Sequence, residues 1–573
     1  MTENNSSKLY VGMDPPQEAI AAMLAAPAVF IDSETTGLSP YRDKLALLQM
    51  HDRISGWTIL QHGAFGSDWL KELFDPLQKR LFIGHNISMF DLQFFAEVWG
   101  AKIFNLEIFD TLIAESLIST SGRRDVSVSL RASVRRRVGL DLDKGIQHGA
   151  WHSVNLTEEQ VRYAVQDVLA LVDLYDAQIG KAAEQGCQSA LRLEMEVAPV
   201  LAKMSWNGMH LPAENFFQYL NKQTDAAKVA EDMLKSTLGV LNFNSPKQVI
   251  SAVRRMGIEL ESTNHNTLMD YVIVAEDGPK RDIVQALINY RAPKKRASMY
   301  SMDWYMDNCT AGKVHPLFWS VGADTLRMSS SKPNLQQVPK DARGMFGNTA
   351  GLSVVSVDYS QLEIRVAAAL SRDEALLGVL SHDDVHTAIA SQIFNCAPEN
   401  VSGAQRKASK AASFTLLFGG SSRTLHDYAR RMGGDMTQEQ ADTVFKRFFE
   451  TFKGLALSRQ KAQAACKDRN ALVIKLPGGA KRVLFGQKLS PQVVLNTTVQ
   501  GTAAIGLKHA LAEAKRRGIA DLLCACVHDE IVAEVPAPYA PAFAAELSDA
   551  MIAGMSNVVN VEVKVESKID THW

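Results

Sequence analysis

The sequence predicts a multidomain protein of mixed α/β (α+β) class. Three observations carry that expectation. The chain has 573 residues, too many for one hydrophobic core, so it should divide into two to four domains. Short apolar runs that end in acidic residues recur in its first and last portions, mixed with helical periodicities. Between them, from Ala190 to about Ala311, the pattern is almost wholly helical.

The balance of 46% apolar and 22% charged residues is that of an ordinary globular protein, which excludes fibrous and disordered classes. The net charge is only −2, so no global basic excess announces a polyanionic partner, and any grip on one must come from local patches. Six cysteines (Cys187, Cys309, Cys396, Cys466, Cys524, Cys526) form no CxxC pair, so neither a zinc site nor a disulfide framework is expected. A reducing, cytoplasmic setting is the default.

Residues 1–27 read as an N-terminal extension. Its apolar stretch from Ala19 resembles a signal-peptide core, but Glu3, Asp14 and Glu18 against a lone Lys8 give it the wrong flank. A short helix and then a strand are expected, and no run is long enough to span a membrane. Residues 28–36 form a first strand ending in acids. Leu45–His51, Thr58–Gln61 and Leu81–Gly84 follow as strands, and Ile87–Trp99, Leu112–Ser119 and Thr157–Ile179 as helices. Together they predict an α/β domain over 28–185. In the helical middle, Lys280-Arg281 and Lys294-Lys295-Arg296 are basic enough to face a phosphate backbone, and equally suited to solvated helix faces. Beyond residue 312, Ser353–Asp358 predicts a strand feeding a helix, and Ala404–Phe418 a long amphipathic helix. Leu522–Val527 and Ile531–Val535 predict a hairpin tipped by His528-Asp529-Glu530. Val561, Val563 and Val565 alternate as a last half-buried strand.

The first acidic set is Asp32-Ser33-Glu34, then Asn86…Phe90-Asp91, then Tyr163…Asp167. Side chains at i and i+2 of a strand share a face, which brings Asp32 and Glu34 together. Tyr163 and Asp167 share one face of a helix. Asp32, Glu34, Asp91 and Asp167 can hold two Mg²⁺ or Mn²⁺ through hard oxygen ligands, and Tyr163 can orient an attacking water. Any one piece alone is an ordinary surface or capping feature; the ordered set is not. It resembles the DEDD proofreading exonucleases, in the tyrosine-bearing subgroup that includes ribonuclease D, and Phe109-Asp110-Thr111 and Leu156–Tyr163 fit as well. The resemblance implies a ribonuclease H-like fold and removal of nucleotides from a DNA 3′ end. Arg123, Arg124, Arg131, Arg135, Arg136 and Arg137 then become candidate phosphate contacts, with a solvated basic helix as the plain alternative.

In the last third, Arg406, Lys410, Phe414 and Phe418 recur every fourth residue and give one drifting helical stripe. Two cations suit a triphosphate, and two aromatics suit a base and sugar. His386 can add a phosphate donor. Asp358-Tyr359-Ser360-Gln361-Leu362-Glu363, this stripe and Val527-His528-Asp529-Glu530 resemble motifs A, B and C of the family A DNA polymerases, the bacterial DNA polymerase I group. Thr325–Ser330, Pro333–Pro339, Asn496–Ala504 and Phe243–Gln248 agree with it.

The resemblance implies a right-hand polymerase: thumb at about 190–315, palm at about 316–395 and 486–573, fingers at about 396–485. Asp358 and Asp529 would hold two catalytic metals, with Glu530 alongside. Arg406, Lys410 and His386 would bind the triphosphate, and Lys410 would protonate the leaving group. Phe414 would stack near the incoming sugar, with Phe418 and Gln361 in the nucleotide site and Glu363 as the gate against a ribose 2′-hydroxyl. Arg327, Asn496, Gln500 and His528 would track the primer–template minor groove. Three positions depart from the family pattern: Phe418 for Tyr, Leu326 for Gly, and Gln492 for Arg. The partners expected are primer–template DNA and dNTPs, for a monomer with no membrane contact. The family's 5′-nuclease domain is not expected, and the compact layout looks phage-like. A single-subunit RNA polymerase and a catalytically inactive DNA-binding scaffold are the competing readings; Glu363 and the full ligand set argue against them.

Overall fold

In a computed structural model, the chain is described over residues 8–119, 126–142, 151, 156–431, 436–486 and 489–573. The N-terminal module is built on a six-stranded mixed sheet. Its strands, in chain order, are β1 (Lys8–Gly12), β2 (Ala28–Thr35), β3 (Leu45–His51), β4 (Trp57–Gln61), β5 (Leu81–Gly84) and β6 (Glu107–Asp110). Their spatial order is β1-β4-β3-β2-β5-β6, with β3 antiparallel to both neighbours and the other pairs parallel. β2, which carries Asp32 and Glu34, therefore lies inside the sheet, and Asp32 pairs in register with Gln49. The sheet reaches into the segment expected to be an extension. β1 pairs with β4, and the helix Gln17–Ala25 buries Ala19 and Met23 in the core. β1 is largely solvent-facing, so its sequence carries no apolar alternation to read.

The C-terminal portion is built on a four-stranded antiparallel sheet in the order Leu523–Val527, Glu530–Pro536, Leu352–Tyr359, Val565–Asp570. Asp358 is thereby flanked in register by Glu530 on one side and Glu566 on the other. The last strand starts at Val565, so Val561 and Val563 precede it rather than belong to it. The stripe helix spans Gly403–Leu416, with Ser402 and Gln405 forming a reciprocal cap at its start. It stops short of Phe418. Gly419 N–H donates to the Leu416 carbonyl and Gly420 N–H to that of Thr415, and a Cβ on Gly420 would lie 2.6 Å from the Thr415 carbonyl oxygen.

One helix, Gln188–Asn207, is built into both halves. On the N-terminal side, Met195 Sδ accepts from the Asp110 amide (3.1 Å) and the Ala202 carbonyl accepts from Gln93 Nε2 (2.8 Å). On the other, Glu194 pairs with fully buried Lys508 (2.5 Å) of the helix Pro491–Arg516 and accepts from Ser320, while Asn207 donates to the carbonyls of Asp521 and Leu523. One continuous apolar core runs through both sheets. The helices between residues 230 and 290 keep a core of their own, around Phe243, Val253, Leu268, Leu287 and Tyr290. Among the described residues no helix is long and apolar enough to cross a membrane.

Candidate active sites at two acidic clusters

Asp32, Glu34, Asp91, Tyr163 and Asp167 line one cavity of about 580 Å³ in the N-terminal module. They arrive on β2, at the start of the helix Asp91–Trp99 and on the helix Glu158–Gln185. All four carboxyls are held above the usual carboxylate range. Burial is the main cause for each, and repulsion from the other acids adds to it at Asp32 and Glu34: Glu34 is pushed up to about 8, Asp91 to about 7 and Asp167 to about 6, and Asp32 well upward. Partial relief comes from hydrogen bonds. Ser33 Oγ donates to Asp91 (2.5 Å), and the Tyr163 hydroxyl eases Asp167 one turn away. Burial and the neighbouring acids push the Tyr163 hydroxyl up as well, so it stays protonated.

Asp110 is fully buried and organises this cluster from behind. It accepts hydrogen bonds from the Asn86, Ser88, Leu112 and Ile113 amides and from Ser88 Oγ (2.7–3.3 Å). That fixes the 84–90 turn, with Asn86 at φ 61°, and so sets where Asp91 begins its helix. It also explains why the helix starts at Asp91 and not at Ile87. The amides of Asn86 and Ser88 go to Asp110, not to a first helical turn. Trp151 and Leu38 line the same cavity, Trp151 with its ring 6.0 Å from that of Tyr163. Spacing alone marks none of these three as part of the site.

The basic run divides. Arg136 and Arg137 clamp buried Glu115 (2.6 and 3.0 Å), which makes them braces of the fold; Arg131 pairs with Asp141 (2.8 Å); Arg135 is exposed. Arg123 and Arg124 lie outside the described residues. Of the middle basic clusters, Arg296 pairs with Asp341 (3.2 Å) and Lys280 donates to the Gly257 carbonyl.

In the C-terminal portion, Asp358 ends its strand and Asp529 occupies the hairpin turn, where His528 sits at φ 60° and the Tyr359 amide donates to the Asp529 carbonyl (3.4 Å). Burial first, then the facing acids, push Asp358 up to about 7. Asp529 is raised by burial and relieved in part by Arg327. Glu530 differs from both. It is buried and its two oxygens are taken, by Arg343 Nη1 (2.8 Å) and Trp573 Nε1 (3.0 Å), and Arg343 lies over the Trp573 ring at 4.3 Å. Glu363 accepts from Arg327 (2.9 Å) and Gln500 (3.4 Å), so three positions far apart in sequence form one knot. Asn496 is half-buried one turn before Gln500. Gln361, at φ 53°, opens the helix Leu362–Ser371. Non-glycine residues at positive φ collect at functional turns, where the surrounding fold must hold them. Leu326 is another, at φ 61° and buried, a backbone geometry at home with the Gly of the family pattern.

On the stripe helix, Lys410 is exposed, Arg406 forks onto Asp384 (2.7 and 3.3 Å), and that contact holds Asp384 well below the usual range. His386 is buried beside both cations, which lowers its pKa and keeps it neutral. Phe414 is 45% exposed between the rings of His386 (6.1 Å) and Tyr428 (6.4 Å), an accessible flat face flanked by aromatics. Phe418, past the helix end, packs half-buried against the core.

Both clusters offer hard oxygen donors whose charges are poorly compensated, which is the donor chemistry a divalent cation fits. Among the described residues no three such side chains are already drawn around one point. Uncompensated carboxylates repel one another, and a dication removes that repulsion.

The sequence pattern of DNA polymerase family A matches residues 214–573, and that of a 3′–5′ exonuclease matches residues 13–178. DNA polymerase I of Aquifex aeolicus is 28% identical, covering 98% of both chains. DNA polymerase I of Treponema pallidum is 28% identical over 81% of this chain, which spans 48% of that protein. The polymerase domain of Pol1 from M. smegmatis, solved with DNA primer-template and dNTP, superposes with a TM-score of 0.80 at 21% identity, covering 98% of this chain and 99% of that one.

Proposed function

Because this chain belongs to DNA polymerase family A and carries a 3′–5′ exonuclease module, we propose that it copies a DNA template from a primer and degrades the same 3′ end at a second site. One observation carries the reading: two separate clusters of under-compensated carboxylates stand on two different sheets, each matched by its own family pattern.

Enzymes of both families depend on metal ions. Bound divalent cations, Mg²⁺ in our reading with Mn²⁺ as a substitute and two per site, would polarise phosphoryl oxygens and make a hydroxyl or water a better nucleophile. For synthesis, Asp358 and Asp529 are the residues that would hold them. Glu530, engaged by Arg343 and Trp573, acts as the brace that aims the Asp529 turn. Arg406, Lys410 and His386 bind the triphosphate of the incoming nucleotide, and Lys410 gives a proton to the departing pyrophosphate. Phe414 stacks on the nucleotide and Phe418 and Gln361 border it. Glu363, pinned by Arg327 and Gln500, stands too firmly to yield to a ribose 2′-hydroxyl. Arg327, Asn496, Gln500 and His528 follow the minor groove. In the exonuclease cavity, Asp32, Glu34, Asp91 and Asp167 would hold the cations and the protonated Tyr163 hydroxyl orients the attacking water. The partners are primer–template DNA and dNTPs. Six unpaired cysteines suit a cytoplasmic setting, and we read the chain as a monomer.

The test is the purified full chain with Mg²⁺ on a primed template. With dNTPs the primer should lengthen, and without them it should shorten from its 3′ end. Preferential use of rNTPs would overturn the DNA-polymerase reading. No change under either condition would leave an inactive scaffold.

A further inference from the structure

The loop from Thr36 to Lys44 borders the exonuclease cavity and also docks on the opposite module. Its cavity side is Thr36, Gly37 and Leu38, with the Leu38 side chain 81% exposed at the mouth. Its far side is Tyr41 and Arg42. The Tyr41 ring lies 3.9 Å from that of His315 at an interplanar angle of 30°, and 5.6 Å from that of Trp206. Its hydroxyl donates to the Ser205 carbonyl (3.3 Å), which also accepts from His315 Nδ1 (3.1 Å). Arg42 Nη2 reaches the Met306 carbonyl (3.5 Å) and Thr310 Oγ1 (3.4 Å).

Between those two sides the loop is stiff. The Asp43 carboxylate accepts from the Ser39 amide (2.9 Å), Thr35 Oγ1 donates to the Gly37 carbonyl (2.5 Å), and Thr36 and Lys44 close the base. A Cβ on Gly37 would stand 2.4 Å from the Asp43 carboxylate, so a side chain there would displace the carboxylate that holds the Ser39 amide. The receiving surface is equally specific. Gly208, at φ 62°, lets His315 approach: a Cβ there would stand 2.6 Å from His315 Nδ1. Burial lowers the His315 pKa to about 4, so the ring that stacks on Tyr41 is neutral.

A stiff loop fixed at one side transmits that fixation to the other. We propose that Tyr41, seconded by Arg42, is a positioning residue that latches the lip of the exonuclease cavity to the polymerase module, and so sets how well a single-stranded 3′ end is seated. The inference rests on the exonuclease reading above. Tyr41 touches no reacting atom in it and acts through the lip carrying Leu38. Freeing the latch leaves the carboxylates in place, so the loss falls on substrate seating and not on the chemical step.

The experiment compares the full chain with Tyr41→Ala, Tyr41→Phe and Arg42→Ala. Two assays are run: Mg²⁺-dependent shortening of a free single-stranded oligonucleotide, and the share of 3′-mismatched primers trimmed before extension with dNTPs present. Tyr41→Ala should raise KM for the oligonucleotide roughly five- to tenfold with kcat within about twofold, the scale of a lost ring stack and hydrogen bond. Trimming of mismatched primers should fall by a similar factor, while extension of matched primers is unchanged. Tyr41→Phe keeps both ring contacts and should restore KM to within about twofold. Arg42→Ala, at an exposed position, should shift KM the same way by less, and carries the test if Tyr41→Ala fails to fold. An unchanged KM in both alanine variants overturns the latch, as does a fall in kcat at constant KM. If the unaltered chain shortens no DNA at all, it is the exonuclease reading that fails.

Discussion

The two acidic clusters solve the same electrostatic problem in different ways. In the exonuclease cavity four carboxyls converge from three elements, and they are eased by neutral hydroxyls, those of Ser33 and Tyr163. In the polymerase site one aspartate lies near the end of a strand and the other in a neighbouring hairpin turn, and cations ease them: Arg343 near Asp358 and Arg327 near Asp529. The third acid, Glu530, is taken over by Arg343 and the C-terminal Trp573. The difference teaches that, among the described residues, the first site lacks cationic side chains to balance its acids, whereas the second is partly balanced by its own protein. In the proposed reading the second site would also admit a highly charged triphosphate, for which Arg406 and Lys410 supply further cations.

The largest test of that contrast separates the activities. Asp529→Ala should cut primer extension by three orders of magnitude or more, on the order of 4 kcal/mol of barrier, and spare 3′-end shortening; Asp32→Ala should do the reverse. Loss of both activities from either change in a folded chain would break the two-site account. Next in size is Asp110→Asn, which keeps the volume but exchanges an acceptor oxygen for a donor in a site that receives five donors. Shortening should slow about 10- to 100-fold, as outer partners of ligand-bearing segments do, with synthesis unchanged. Smaller still is Trp573→Phe. It removes the donor to Glu530 but keeps a ring under Arg343, and extension should drop about three- to tenfold with shortening unaffected.

The smallest effect concerns pH. Asp358, Glu34, Asp91 and Asp167 titrate higher in the fold than in the unfolded chain. For acids shifted that way, stability is fully present below the unfolded pKa and is lost as pH rises through the folded one. Metal-stripped protein should therefore melt a few degrees lower at pH about 8 than at about 5, and added Mg²⁺ should restore more at the higher pH. In Asp529→Ala, where the larger cluster is intact, most of that pH dependence should persist; in a chain lacking Asp32 and Glu34 it should shrink. Differential scanning fluorimetry reads both.

Much of the candidate chemistry was legible in the sequence. Strand alternation forces Asp32 and Glu34 onto one face, and a four-residue step forces Tyr163 beside Asp167, so these pairs needed no tertiary knowledge. The β2, β3 and β5 strands, and the hairpin bearing Asp529, were equally plain from their apolar runs. What stayed hidden was set by long-range partners. Phe109-Asp110-Thr111 fits the resemblance, but nothing local announces that five donors converge on the Asp110 carboxylate, which also caps the helix after it. Arg136 and Arg137 look like surface cations until Glu115 is seen to need them. The Glu530–Trp573 bond spans 43 residues and leaves no local pattern. Phe418 continues the stripe by count, but the helix ends two residues before it, at Leu416, ahead of the paired glycines.

The helix Gln188–Asn207 has a consequence for how a copying error is removed. Its middle and its C-terminal end are bonded into the two modules, Met195 to one and Glu194 and Asn207 to the other. It works as a ruler, and a ruler does not shorten. If the two clusters are the places of synthesis and excision, this helix holds them at a set spacing, and a strand passing between them would bridge it by giving up base pairs. On that reading a correct terminus would resist fraying and a wrong one would yield, so the duplex's own cohesion would sort right from wrong before either site acted.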